Sequence, residues 1–167
     1  MATKKSMWVL FGILMISAWI LGSAIQAGAE TMNYKLYSVV IKNDRFPIGD
    51  VEGHAVEISV RSAFYVFPNE VATAYALGVR DIIKETGSFS QYVTLTFPDG
   101  STIIRKDQGT RTAAGSSYTS EIIKGTGRFE GIKGTHTAKS KPLPVENWEA
   151  GPKVIGEGTY TFTLPSK

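Results

Sequence analysis

His54 and His136 are the only imidazoles among the 167 residues, and no cysteine accompanies them. A zinc centre takes three or four ligands drawn mainly from His, Cys and carboxylates. No H-x-H or H-E-x-x-H spacing supplies them, so no metal site is expected. A strand histidine with satisfied hydrogen bonds is the favoured reading of each. His54 shares its strand parity with Val56 and Ile58, the apolar side. That parity makes it the better candidate for a pocket-rim hydrogen bond or an acid–base role. No G-x-S-x-G marks a nucleophile elbow. The sequence assigns no catalytic residue.

The tyrosines form a second set. Tyr65, Tyr75, Tyr92, Tyr118 and Tyr160 fall on five different strands. Each brings a large apolar face with one polar tip. Lining a common space, they would suit a ligand carrying a ring and an oxygen. Ordinary cross-strand pairing is the alternative. With His54 they make up the candidate ligand-binding residues.

The elements that must position these groups read as strands throughout. Asn33 to Lys42 is rich in β-branched and aromatic residues, and residues 43–53 read as a loop. His54 to Phe67 alternates, with Val56, Ile58, Val60, Phe64 and Val66 on one parity and Glu57, Ser59 and Arg61 on the other. A period of two predicts one dry face and one wet face. Glu57 and Arg61 are accordingly expected on a solvated outer surface; a polar barrel interior is the alternative. Val71 to Ile83 reads as one strand bent at Gly78. Tyr92 to Phe97 and Thr102 to Lys106 flank Pro98-Asp99-Gly100-Ser101 as a hairpin. Residues 107–117 have the composition of an exposed loop. Tyr118 to Lys124, Gly134 to Ser140 and Val154 to Leu164 are further strands. Phe64, Phe89, Phe97 and Phe129 are expected in the core. Trp148, in a proline-bearing loop over residues 141–152, is expected exposed or capping a barrel mouth. Seven or eight short strands without helical periodicity predict an all-β sandwich or up-and-down barrel.

The stretch Gly125 to Gly134, GTGRFEGIKG, tests for a phosphate loop. Its glycines stand at 125, 127, 131 and 134, with a strand rather than a helix following. Dinucleotide loops need G-x-G-x-x-G opening a helix, and triphosphate loops end in Gly-Lys-Ser/Thr. Both orders fail, and the segment reads as a structural turn that points Phe129 and Ile132 inward. Thr86-Gly87-Ser88-Phe89 echoes Thr126-Gly127-Arg128-Phe129, which suggests two similar corners with a Phe plugging a barrel end. The glycine stretch, with Thr96-Phe97-Pro98-Asp99-Gly100-Ser101-Thr102 upstream, resembles segments of exported bacterial members of the allene-oxide-cyclase-like barrel family. A looser likeness to plant dirigent proteins accompanies it. The resemblance implies a single antiparallel eight-stranded β-barrel of lipocalin-like, calycin-type shape. Plant allene oxide cyclases resemble one another around an acidic residue on the first strand. Lys35 to Ile41 has none, and the dirigent aspartates have no clear counterpart, so the resemblance carries the fold and no catalytic residue.

The bulk properties set the compartment. Lys4 and Lys5, the apolar run Met7 to Ile25 and the small residues Ala27 and Ala29 have the order of a secretory signal. Cleavage after Ala29 is expected, with a retained membrane anchor as the alternative. Residues 1–29 form the signal and residues 30–167 the barrel domain. The signal takes Lys4 and Lys5 and no acid, so 18 basic residues against 15 acidic become 16 against 15. No clustered basic run marks a nucleic-acid partner. An exported protein, periplasmic or secreted and without a cofactor, is expected. Three function classes stay open: a barrel binding a small hydrophobic molecule, a cofactor-free isomerase or cyclase, and a structural or oligomerising envelope protein. Self-association as a dimer or trimer is compatible with each.

Overall fold

Alternation along every strand folds the chain into one closed sheet. In a computed structural model, residues 28–143 and 153–166 are described. Residues 1–27 of the expected signal, and Trp148, lie outside the described residues. Eight strands follow in order: β1 (Glu30–Pro47), β2 (His54–Val66), β3 (Val71–Ile83), β4 (Thr86–Thr96), β5 (Thr102–Thr112), β6 (Gly115–Gly125), β7 (Lys133–Pro142) and β8 (Val154–Thr163). Each pairs antiparallel with the next, and β8 returns to β1, which closes an up-and-down barrel. Closure leaves no free edge on which another strand could pair. The expected eight-stranded antiparallel barrel is the observed fold.

One end of the barrel is filled. The hairpin at Pro98 to Ser101 turns there, with Phe97 N–H donating to Ser101 O at 2.9 Å and Gly100 at φ +80°. The glycine-rich stretch packs beside it. A short 3₁₀ turn at Gly127–Phe129 carries Phe129 inward, and Ile132 follows it. Gly127 takes φ +61°, and a Cβ there would collide with Ser101 Oγ, so both conformation and space demand glycine. Ser101 Oγ accepts from Arg128 N–H at 3.1 Å. Thr126 and Thr102 bond through backbone and hydroxyls at 3.0 and 2.8 Å. Phe67, Phe97, Phe129 and Phe162 then pack at tilted and edge-on angles with Leu95 and Ile103 as a plug. Arg128 lies over the rings of Phe97 and Phe129 at 4.8 Å from each and pairs with Glu70 outside.

Four expectations need correction. The parity of β2 is inverted. Glu57 and Ser59 are buried inside the barrel, and Arg61 lines its lumen, while Ile58, Phe64 and Val66 are exposed. The outward residues of β2 and β3 make a nearly charge-free apolar face, with Phe64, Tyr75, Leu77 and Val79 as its bulk. Residues 107–117 are not a loop. β5 runs through Thr112 and β6 starts at Gly115, with only a tight turn between. The β1 strand reaches Pro47, so most of the expected loop after Lys42 begins later. Finally, Phe89 is not a second end plug; it is half-buried on β4 and lines the opposite end of the lumen.

Candidate functional site

Above the phenylalanine plug the inward side chains shorten. Ala63 of β2 pairs with Ala74 of β3, and Ala76 is the next inward residue on β3. Methyl groups at these positions leave the lumen of an eight-stranded barrel unfilled. The result is a cavity of about 230 Å³ to which all eight strands contribute. Leu36, Val40, Val93 and the three alanines give it an apolar wall. Tyr65 and Tyr118, both nearly sealed from solvent, form its floor. Phe89 meets Tyr118 edge-on, with ring centroids 5.6 Å apart.

Cations line the same space. Arg61, Arg80 and Arg111 come from three strands, and Lys141 and Lys153 stand at the rim. Arg80 reaches the Glu57 carboxylate at 3.4 Å, and Arg111 reaches Glu85 at 3.2 Å. Neither acid lines the cavity; no Asp or Glu does among the described lining residues. The Nε atoms of Arg61 and Arg111 are buried without a hydrogen-bond partner. Burial, then repulsion from Arg80 and Arg111, lowers the Arg61 guanidinium to about 10. Burial and Arg111 lower Arg80 in the same way. Both stay charged at neutral pH.

Beneath the floor runs a belt of buried polar groups. Arg105 and Asp107 are two apart on β5, so both point inward. Arg105 Nε donates to Asp107 Oδ1 at 2.7 Å, and its Nη2 donates to the Tyr65 hydroxyl at 2.8 Å. The guanidinium sits between the rings of Tyr65 and Tyr160, at 5.2 and 5.3 Å from their centroids. Burial opposes its charge, but Tyr65 and Asp107 outweigh that and hold Arg105 protonated well above its ordinary range. Asp107 also accepts from Gln91 Nε2 at 2.8 Å and from Ser120 Oγ at 2.5 Å. A carboxylate only accepts, so the Ser120 proton goes to Asp107. Ser120 Oγ then accepts from His136 Nδ1–H at 2.7 Å, and His136 Nε2 accepts from the Tyr34 hydroxyl at 2.5 Å. Burial, then the Arg105 charge, pushes His136 down to about 2, so the ring is neutral. Burial raises Tyr34, Tyr65 and Tyr118 above their usual range, and all three keep their protons. The belt fixes the floor; Tyr65 and Gln91 are the members that also touch the cavity.

The chain matches no protein-family model and no curated relative. Solved structures resemble it to different degrees. The crystal structure of a protein of unknown function from the DUF3224 family of Shewanella oneidensis MR-1 superposes with a TM-score of 0.58 at 12% identity, covering 83% of this chain and 100% of the other. The pterocarpan synthase dirigent proteins PsPTS1 and GePTS1 are each 17% identical over 83% of this chain, and cover 97% and 92% of their own. Their TM-scores are 0.45 and 0.48. At 12% identity the first likeness shows the fold alone, and the weaker dirigent likenesses add nothing to it.

The structure separates the residues that the sequence grouped. Tyr65 and Tyr118 line the cavity, and Tyr160 is fully buried below it against Arg105. Tyr75 and Tyr92 point outward and are more than half exposed. His54 keeps the side of Val56 and Ile58, and that side is the outside. It bonds Asp50 through Nδ1 at 2.5 Å and Asp81 through Nε2 at 2.8 Å, away from the lumen. The bonds to Asp81 and Asp50 raise its pKa. Its contribution to stability is therefore complete below the unfolded value near 6.5 and is lost as pH rises through the folded value. An NMR titration should show one histidine, His54, titrating above the free value, and Asp81→Asn should bring it down. A midpoint at or below the free value would contradict the two bonds.

Sequence reasoning missed the residues that matter most to the lumen. Arg80, Arg111, Arg105 and Asp107 drew no attention. Arg105 and Asp107 did carry a signal: they continue the inward parity of Ile103.

Proposed function

We propose that this chain is an exported, cofactor-free barrel that holds one small, mainly hydrophobic molecule in its lumen. The observation that carries the reading is the 230 Å³ cavity where alanines replace filling side chains, walled by apolar groups and floored by two tyrosines. Drug-sized ligands occupy sites of about 300–1,000 Å³, so this lumen suits a compact molecule of one or two rings. Ring faces would lie on Tyr118 and Phe89, and a ligand oxygen would meet a tyrosine hydroxyl. The described lining residues include no carboxylate or imidazole, which favours holding a ligand over acid–base turnover. We group the chain with the allene-oxide-cyclase-like barrels in the same proposal, supported by the two segments packed together at its closed end. Export is supported by the N-terminal charged, apolar, small-residue order.

The outer face of β2 and β3 supports a second reading, in which that face meets a second copy of the chain. An exposed sheet face with large apolar side chains and almost no charge presents no like-charge repulsion to its own copy. Native mass spectrometry of the protein purified gently from its own host reads both. A reproducible small-molecule mass on the barrel is the expected result, and a clean unliganded mass would overturn the carrier reading. A subunit count of one would overturn self-association.

A further inference from the structure

We propose that the lumen ligand is an anion, an aromatic or alicyclic carboxylate whose acid group is held by Arg61 and Arg111, with Arg80 beside them. This rests on the reading of the lumen as a ligand site, and names the chemistry of what enters it.

The argument begins with charge. Five cations line the cavity, and no acid among its described lining residues answers them. Glu57 engages Arg80 from the side and shares itself with Arg45 at 3.1 Å. Glu85 engages Arg111 through Nη2, on a carboxylate that is more than half exposed. Arg61 belongs to no such pair among the described residues. Like charges gathered in a low-dielectric lumen repel, and burial first, then that repulsion, lowers the proton affinity of Arg61 and Arg80. Arg80 and Arg111 each meet one carboxylate from outside the cavity, and an anion inside it would give Arg61 the partner it lacks among the described residues.

The second observation is a pair of orphaned donors in the lumen, beside Arg105 Nη1 and the Tyr160 hydroxyl, which are also buried without a partner below it. A buried N–H without an acceptor is uncommon in a folded protein. Here two such donors, Arg61 Nε and Arg111 Nε, belong to side chains that line one cavity. A guanidinium presents its N–H groups as a planar fork that fits carboxylate oxygens two at a time. One carboxylate would satisfy the donors and offset the repulsion. The rest of the wall sets aliphatic side chains and aromatic rings beside Ser38, Gln91, Thr112, Ser116 and Ser140, so the rest of the ligand is a compact, mainly apolar body. The neutral hydroxyls of Tyr65 and Tyr118 at the floor leave room for a polar atom at its far end.

The test uses matched neutral and charged probes on the whole purified protein. Benzoate and 2-naphthoate are compared with benzamide and 2-naphthamide by isothermal calorimetry at low salt. The acids are expected to bind at least tenfold tighter than the amides of the same ring. Arg61→Gln should reduce acid binding about tenfold and leave amide binding within about twofold, the loss of one charged bond. Arg111→Gln is the second variant and should act in the same direction. Without ligand, Arg61→Gln should hold or raise the thermal midpoint, because it removes a repelling charge; a structural arginine would lower it. Equal binding of acid and amide overturns the anion assignment and leaves the hydrophobic-ligand reading standing. Failure of all four probes overturns both.

Discussion

Replacing Asp107 by Ala is expected to cost about 3–5 kcal/mol of folding stability, enough to unfold much of the population at physiological temperature. Arg105 and Asp107 are both fully buried, so neither can recover water when the other is removed. Without the carboxylate, Arg105 keeps its charge with only the Tyr65 hydroxyl and two ring faces beside it. Gln91 Nε2 and Ser120 Oγ lose their acceptor in the same step. The Ser120 proton would turn elsewhere, and the alignment of His136 and Tyr34 would loosen with it. Asp107→Asn keeps the shape but not the charge and should fall between wild type and Ala. The double change Arg105→Met, Asp107→Leu should cost less than the sum of the single changes, because no unpaired charge stays behind. Urea unfolding of wild type, Asp107→Ala, Asp107→Asn, Arg105→Met, Asp107→Leu and the double change measures this directly. A loss under about 1 kcal/mol for Asp107→Ala, the level of an exposed pair, would mean that water reaches the belt and that the lumen is wetter than the structure indicates.

That belt also marks the limit of what alternation in a sequence can tell. The period of two in β2 was plain from His54 to Phe67, and it correctly gave a strand with two unlike faces. Period alone does not say which face is inside. The usual rule, apolar residues inward, reversed the strand. Val56, Ile58 and Phe64 suit the outer surface of a sheet, where β-branched and aromatic side chains pair across strands. Glu57 fits inside because Arg45 of β1 and Arg80 of β3 meet its carboxylate, and Arg61 opens onto the cavity. Such partners are distant in sequence, so the polar interior cannot be read from one strand. Residues 107–117 misled for a related reason. Their small and polar composition looks like a loop, but Gly109 lies opposite Tyr118, and the Ser117 carbonyl with Tyr118 Cβ fills the space a Cβ would need. The segments that carried the family resemblance, Thr96 to Thr102 and Gly125 to Gly134, meet at the closed end through Ser101 with Gly127 and Thr102 with Thr126. They specify how the barrel is plugged. The residues around the cavity lie elsewhere, so a resemblance resting on those segments reaches the fold and stops short of the ligand.

His136 should make the barrel acid-labile in a way that can be assigned to one residue. In the unfolded chain its imidazole takes a proton near pH 6.5. In the folded protein burial and Arg105 hold that event down to about pH 2. Between these values the unfolded state binds one more proton than the folded state, so stability falls as pH falls. The contribution is complete above pH 6.5 and drains away below it, at up to about 1.4 kcal/mol per pH unit. From pH 6.5 to pH 4 that amounts to roughly 3 kcal/mol. Carboxylates add their own acid sensitivity, so wild type alone does not isolate the effect. His136→Gln does. At neutral pH it should be less stable by about 1–3 kcal/mol, since Tyr34 and Ser120 lose a well-placed partner. On acidification it should lose stability more slowly than wild type, and the two curves should converge and can cross below pH 5. His54 acts with the opposite sign, because its folded pKa is raised. It loses its contribution on the alkaline side and cannot mimic this slope. Parallel curves for wild type and His136→Gln between pH 6.5 and 4 would show that His136 protonates freely inside the fold. The hydrogen bonds from Ser120 to Asp107 and from Tyr34 to His136 would then have to run in another order.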